Sequence, residues 1–178
     1  MPWKNGGGET VELLVHPAGA GLDAFDWRIS MARVAADGPF SAFPGVDRTL
    51  TVLDGDGLAL AIAGRDPIRL TPGSPPLAFA ADAPCAGRLL GGPVTDLNVM
   101  TRRGHFVHAV EAVDLAAPRV FGGEGATVLV LCRWGEILCP GLGTLGRHDA
   151  VVLGAGDAVT IAARRLPAAA LAVAVRPA

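Results

Sequence analysis

The sequence predicts an all-β protein built from two double-stranded β-helices (jelly rolls) in tandem. Three observations point there. Twenty-four glycines and 14 prolines divide the 178 residues into short pieces, leaving no room for long helices. Between these breaks lie β-branched or alternating segments rather than helical periods. A pattern of strands and turns in the first half also returns in the second.

The clearest strand segments, in order, are residues 10–15, 26–34, 49–53, 58–63, 94–101 and 106–113, followed by 127–132, 150–153, 158–162 and 169–175. Leu50-Thr51-Val52-Leu53-Asp54-Gly55 and then Gly57-Leu58-Ala59-Leu60 reads as strand, tight turn, strand. Asp-Gly is a favoured hairpin pair, and a calcium loop would need more ligands than Asp54-Gly55-Asp56-Gly57 supplies. Residues 128–132 followed by Arg133-Trp134-Gly135-Glu136-Ile137-Leu138 read the same way. Each pair is followed by another turn and an apolar strand, at 77–80 and 158–161. Two such units describe a tandem cupin-type barrel, a bicupin. Its N-terminal half, residues 1–104, would carry the ligand site, and residues 105–178 would form the second half of one compact unit.

Composition narrows the function classes. The chain is 51% hydrophobic and 18% charged, enough to build a core and too apolar for disorder. A formal net charge of −2 with no basic run argues against nucleic acid and against an anionic membrane surface, because phosphates are bound by clustered positive charge. Mean hydropathy is +0.42, but the longest apolar runs, 126–132 and 168–175, fall well short of a spanning helix. Cys85, Cys132 and Cys139 cannot all pair within one chain, and no CxxC occurs. With no apolar signal core at the start, a cytoplasmic protein with reduced thiols is expected. Polar residues are few: Lys4 is the only lysine, Asn5 and Asn98 the only asparagines, and Gln and Tyr are absent. Coding bias explains the Ala, Gly, Arg and Pro excess that goes with this scarcity.

Four clusters carry what chemistry the sequence shows. In Pro2-Trp3-Lys4-Asn5-Gly6-Gly7-Gly8, three glycines free the backbone beside the lone lysine. A lid presenting an ammonium and an amide, and a frayed terminus, are equally consistent with it. In Trp27-Arg28-Ile29-Ser30-Met31, alternation sets Arg28 and Ser30 on one face and the apolar residues on the other. The alternation leans to a solvated Arg28; pointed into a barrel mouth, it would be a carboxylate ligand. In Pro39-Phe40-Ser41-Ala42-Phe43-Pro44-Gly45-Val46-Asp47-Arg48, the positions where a metal-binding cupin carries His, His and Glu fall on Ser41, Phe43 and Arg48. None of these three suits a transition metal, and exchanging carboxylate for guanidinium turns a cation site into an anion site. In Asp96-Leu97-Asn98-Val99-Met100-Thr101-Arg102, the residues Asp96, Asn98, Met100 and Arg102 share a strand face. That face is either a binding wall or a polar outer surface. His16, His105, His108 and His148 do not assemble a metal site by spacing, and no serine nucleophile motif is present.

These clusters, in this order, resemble the HutD/Ves family of cupin-like proteins, in detail from residue 2 to about residue 104 and through general cupin turns afterwards. The resemblance implies a bicupin with no bound metal and no cofactor. It also implies binding of a histidine-degradation intermediate, N-formylglutamate foremost, in a regulatory role with no catalytic residue. Members usually carry a short segment before Pro-Trp-Lys-Asn; for this chain either the true start lies upstream, or the first strand is missing and Lys4 is less well anchored. Residue chemistry and resemblance together assign a small anionic metabolite as the partner. Arg28 and Arg48 would hold carboxylates, Asn5 and Asn98 an amide or formyl group, and Phe43 and Met100 the methylene stem. Ser30, Ser41 and Arg102 would complete the wall, and Lys4 would close the mouth. Two rivals stand beside this reading: a metal-free isomerase or lyase with Lys4 as acid/base, and an oligomeric structural barrel without ligand. A homodimer is left open.

Overall fold

Alternating apolar residues and frequent Gly/Pro turns resolve into strands throughout: in the computed structural model, which describes residues 1–3, 7–123 and 125–178, every regular element among the described residues is β. Lys4 and Asn5, expected at the ligand site, lie outside the described residues. The chain divides into two units, Met1–Phe106 and Val107–Ala178.

The first unit contains β1 (Gly8–His16), β2 (Trp27–Val34), β3 (Gly38–Pro39), β4 (Val46–Asp54), β5 (Leu58–Ile62), β6 (Ile68–Leu70), β7 (Leu77–Ala80), β8 (Cys85–Leu89) and β9 (Val94–Arg102). They form a five-stranded sheet in the order β1-β2-β9-β4-β7 and a four-stranded sheet in the order β3-β8-β5-β6. Inward residues of the two sheets make a common core: Val34, Leu50, Val52, Phe79 and Val94 from one, Leu58, Leu60, Ile62 and Leu70 from the other. The central strands β2, β4 and β9 are buried along nearly their whole length, on both faces. Most polar residues placed there are therefore withdrawn from water, with Arg33 and Asp47 the exposed exceptions.

Asp54-Gly55-Asp56-Gly57 is not the hairpin turn expected of it. β4 pairs with β7 and β9, whereas β5 pairs with β6 and β8, so the turn carries the chain from one sheet to the other. Gly57 adopts φ +98°, and a Cβ there would sit 2.2 Å from the Leu70 carbonyl oxygen. The corner is tight enough that only glycine fits.

The second unit contains most of β10 (Phe106–Asp114), and β11 (Arg119–Gly122), β12 (Thr127–Cys139), β13 (Gly143–Leu145), β14 (Ala150–Leu153) and β15 (Ala158–Pro177). β12 and β15 are its long antiparallel spine, packed around Val128, Val130, Cys132, Ile137, Ile161 and Ala170. The strand, turn, strand reading of residues 128–138 is corrected here: β12 runs through Arg133-Trp134-Gly135 without reversing. Its register against β15 shifts between Cys132 and Ile137, and Gly135 takes φ +75°. A bulge absorbs the glycine that sequence alone reads as a turn. The segments 158–162 and 169–175 are likewise one strand, β15.

The corner geometry has a measurable consequence. Gly57→Ala should lower the denaturation midpoint more than Gly64→Ala, which also has positive φ (+79°) but open space around it. The left-handed backbone costs an alanine about 1–2 kcal/mol at either site, and Gly57 adds the clash with Leu70. Equal midpoints in urea unfolding would contradict this account of the corner.

Candidate ligand cavity

Antiparallel register places three residues from each central strand of the first unit in a grid on one face. Arg28, Met100 and Arg48 form one row, Ser30, Asn98 and Leu50 the next, and Ala32, Asp96 and Val52 the third. The upper part of this grid floors a cavity of about 510 Å³, lined also by Met1, Pro2, Trp3, Thr10, Leu22, Pro39, Phe40, Ser41 and Phe43. The walls are mostly apolar, and their positions follow from local contacts. Trp3 Nε1 donates to Thr10 Oγ1 at 2.8 Å, and Phe43 packs edge-on against Phe25.

Both floor arginines are buried, Arg28 at 4% and Arg48 at 6% exposure. Arg28 Nε donates to Glu12 Oε2 on β1 at 2.8 Å, and Nη1 donates to Ser30 Oγ at 3.2 Å. Its Nη2 is buried without a partner among the described residues. Arg48 donates from Nε (2.8 Å) and from Nη2 to the same oxygen, Asn98 Oδ1, and its guanidinium lies 4.8 Å from the Phe40 ring centroid. Asn98 Nδ2 in turn donates to Asp96 Oδ1 at 2.5 Å, while Asp96 Oδ2 is buried and unpartnered among the described residues. Arg48, Asn98 and Asp96 are thus a hydrogen-bonded chain running down from the cavity floor into the core.

Burial lowers the Arg48 pKa from its ordinary value, and the nearby Asp96 charge partly restores it. Burial also pushes the Asp96 carboxyl up to about 6, against the opposing pull of Arg48 and the Asn98 hydrogen bond. Desolvation dominates in both groups because each has lost its water and gained few partners.

Seven of the expected site residues meet at this cavity: Arg28, Ser30, Ser41, Phe43, Arg48, Asn98 and Met100. Two expectations are corrected. The solvated reading of Arg28 fails because β2 is buried on both faces, and the polar-surface reading of the Asp96 to Met100 face fails for the same reason in β9. Arg102 is not brought to the cavity. It stands beyond the Arg28, Met100 and Arg48 row, where Nε and Nη2 donate to the Phe25 carbonyl at 3.2 and 3.0 Å and hold the approach to β2. Glu12 was not anticipated, because its pairing with Arg28 is set by the β1–β2 register and not by local spacing. Among the described residues, no group of three or more His, Cys, Asp or Glu could hold a metal ion.

Similar proteins place this geometry in a class. A barrel protein of the cupin 2 type from Leptotrichia buccalis superposes with a TM-score of 0.60 at 10% identity, covering 96% of this chain and 89% of that one. That likeness shows a cupin-like all-β fold. HutD from Pseudomonas fluorescens SBW25 superposes with a TM-score of 0.85 at 31% identity, covering the whole of this chain and 93% of its own. Protein Ves of Citrobacter koseri is 38% identical over 72% of this chain and 66% of its own length. An uncharacterized 21.2 kDa protein from the hutC 3′ region of Pseudomonas putida is 43% identical over 56% of this chain and 52% of its own. The matches to these two curated relatives thus span from about half to just under two thirds of their lengths. A family model described as HutD matches residues 1–171, and the chain belongs to the HutD family.

The Asp96 environment predicts a pH dependence of stability. Its folded pKa of about 6 lies above the ordinary 3.8, so the folded state binds the proton more tightly than the unfolded state. The contribution is therefore greatest at low pH, falls as pH rises from about 4 to about 6, and is level above that; two pH units correspond to on the order of 3 kcal/mol. Urea unfolding across this window should show the fall in the wild type and its loss in Asp96→Asn. Identical pH profiles for the two proteins would contradict the assignment.

Proposed function

We propose that the protein binds a small carboxylate-bearing metabolite in the first-unit cavity, without catalysing a reaction on it. The observation that carries this reading is the Arg28 Nη2 group, a guanidinium nitrogen buried at a largely apolar cavity and lacking a partner among the described residues. An unmet charged donor of this kind costs a few kcal/mol when left empty, and a carboxylate oxygen is its natural complement.

Arg28 receives one carboxylate, and Arg48, fixed in direction by Asn98, supplies the second positive charge on the same row. Asn98 acts through Arg48: its carbonyl oxygen accepts twice from that guanidinium and so orients the cation, while its amide nitrogen donates to Asp96. Met100, Phe40, Phe43 and Leu22 enclose an aliphatic stem, with Ser30 and Ser41 hydroxyls at the wall. N-formylglutamate, with two carboxylates separated by methylenes and a neutral formamide, matches this distribution. Charge-assisted contacts of about 1.5–3 kcal/mol each support micromolar binding, roughly −8 kcal/mol, after association costs. The relative located in the hutC 3′ region supports a regulatory setting in histidine utilisation. Each unit is taken as one cupin-type barrel, with the ligand site in the first.

Isothermal titration calorimetry with N-formyl-L-glutamate tests the proposal. Wild type should bind in the micromolar range, and Arg28→Gln should weaken binding at least tenfold while keeping the wild-type circular dichroism spectrum. Mass spectrometry of the recovered ligand should show it unchanged. Equal affinity in Arg28→Gln, or conversion of the ligand, would overturn the reading.

A further inference from the structure

Asp96 does not line the cavity, yet it terminates the hydrogen-bonded chain that begins at the cavity floor with Arg48. It is wholly buried, with one oxygen held by Asn98 and the other without a partner among the described residues. We propose that Asp96 sets the charge of the cavity, so that a carboxylate binding against Arg48 is accompanied by uptake of one proton at the unpartnered Asp96 oxygen. This rests on the carboxylate-binding reading of the cavity.

Charge balance among buried groups drives this coupling. With Asp96 ionised, the chain Arg48–Asn98–Asp96 is neutral, and an arriving anion meets a cation that already has its counter-charge. A second anion on Arg48 leaves the buried assembly with one negative charge too many, which the low dielectric penalises heavily. A proton from solvent, added at Asp96 Oδ2, restores neutrality: the guanidinium then pairs with the ligand, and the neutral carboxyl keeps its Asn98 bond through Oδ1. Free Asp96 already lies near the neutral range, at about 6, and the bound anion pushes it further up, past neutrality. Among the described residues, the other charged and titratable groups around the chain are few. Arg28 on β2 acts on Arg48 with like charge and is itself paired with Glu12 on β1, and the Cys85 thiol on β8 is pushed up by burial. Asp96 is the member of this set poised to change charge between pH 5 and 8.

Asp96 is a positioning residue in this scheme, and its signature is a pH profile. Calorimetry with N-formyl-L-glutamate, at pH 5.5, 6.5 and 7.5 in two buffers of different ionisation enthalpy, should show wild-type Kd rising with pH, by up to about tenfold per unit above 6. Proton uptake on binding should be small at pH 5.5, where Asp96 already carries most of its proton, and approach one at pH 7.5. Asp96→Asn should bind with an affinity independent of pH, tighter than wild type at pH 7.5, and with no uptake; a merely structural loss would weaken binding at every pH. Carbon-13 NMR of the wild-type aspartate carboxyls, with and without formate as a small carboxylate, requires neither the variant nor that ligand. A buried carboxyl titrating near 6 and moving upward with formate supports the proposal even where N-formyl-L-glutamate fails to bind, which would count against the ligand reading alone. An Asp96 titration in the ordinary carboxylate range, no movement with formate, or a pH-independent wild-type Kd with no proton uptake would overturn it.

Discussion

A guanidinium buried in the middle of a β-sheet is the constraint on which the site depends. Arg48 has lost its hydration on β4, and a charge so placed survives only when other groups supply what water supplied. Asn98 does this from the neighbouring strand with one oxygen accepting from two nitrogens, and the Phe40 and Phe79 rings lie near the cation. Asn98 can hold that orientation because Asp96, two residues along the same face of β9, takes its amide hydrogen. Each link fixes the next, so the cation points where register puts it. Arg28 is held on the same row by Glu12 and Ser30.

The apolar surroundings give these charges their strength. The walls around the floor are apolar, and an interaction of fixed geometry in such surroundings is stronger than it would be in water. The floor is rigid because β2, β9 and β4 are the inner strands of their sheet, each paired on both sides. Each arginine has a carboxylate near it: Glu12 bonds Arg28 directly, and Asp96 lies beneath Arg48, joined to it through Asn98. The cavity is therefore not a bare positive patch. It presents directed donors with their charge largely compensated, which favours selectivity for carboxylate geometry over indiscriminate attraction of anions.

Much of this was legible in the sequence, and the gaps have physical causes. Period-two alternation correctly set Arg28 with Ser30, and Asp96 with Asn98 and Met100, because side-chain direction on a strand is a local property. Which face was buried was not local. β2 and β9 lie inside a sheet covered on both sides, and that depends on pairing between strands about 70 residues apart in sequence, such as Ser30 with Asn98. The same non-locality hid Glu12, whose place beside Arg28 is set by the β1–β2 register. Arg102 shows the reverse error: alternation put it on the correct face, but strand length carried it past the cavity to the Phe25 carbonyl. Gly135 was read as a turn because glycine at positive φ serves both turns and bulges, and only the partner strand β15 decides between them.

The central claim is that the floor between Arg28 and Arg48 is built for an anion, and bromide soaked into a crystal tests it most directly. Bromide scatters anomalously, carries a single negative charge and imposes no shape of its own. An anomalous peak is predicted inside the cavity, beside the Arg28 and Arg48 guanidinium groups, that occupies before any site on exposed arginines such as Arg103 and Arg119. Peaks confined to those surface arginines, with the cavity empty at the same bromide concentration, would contradict it.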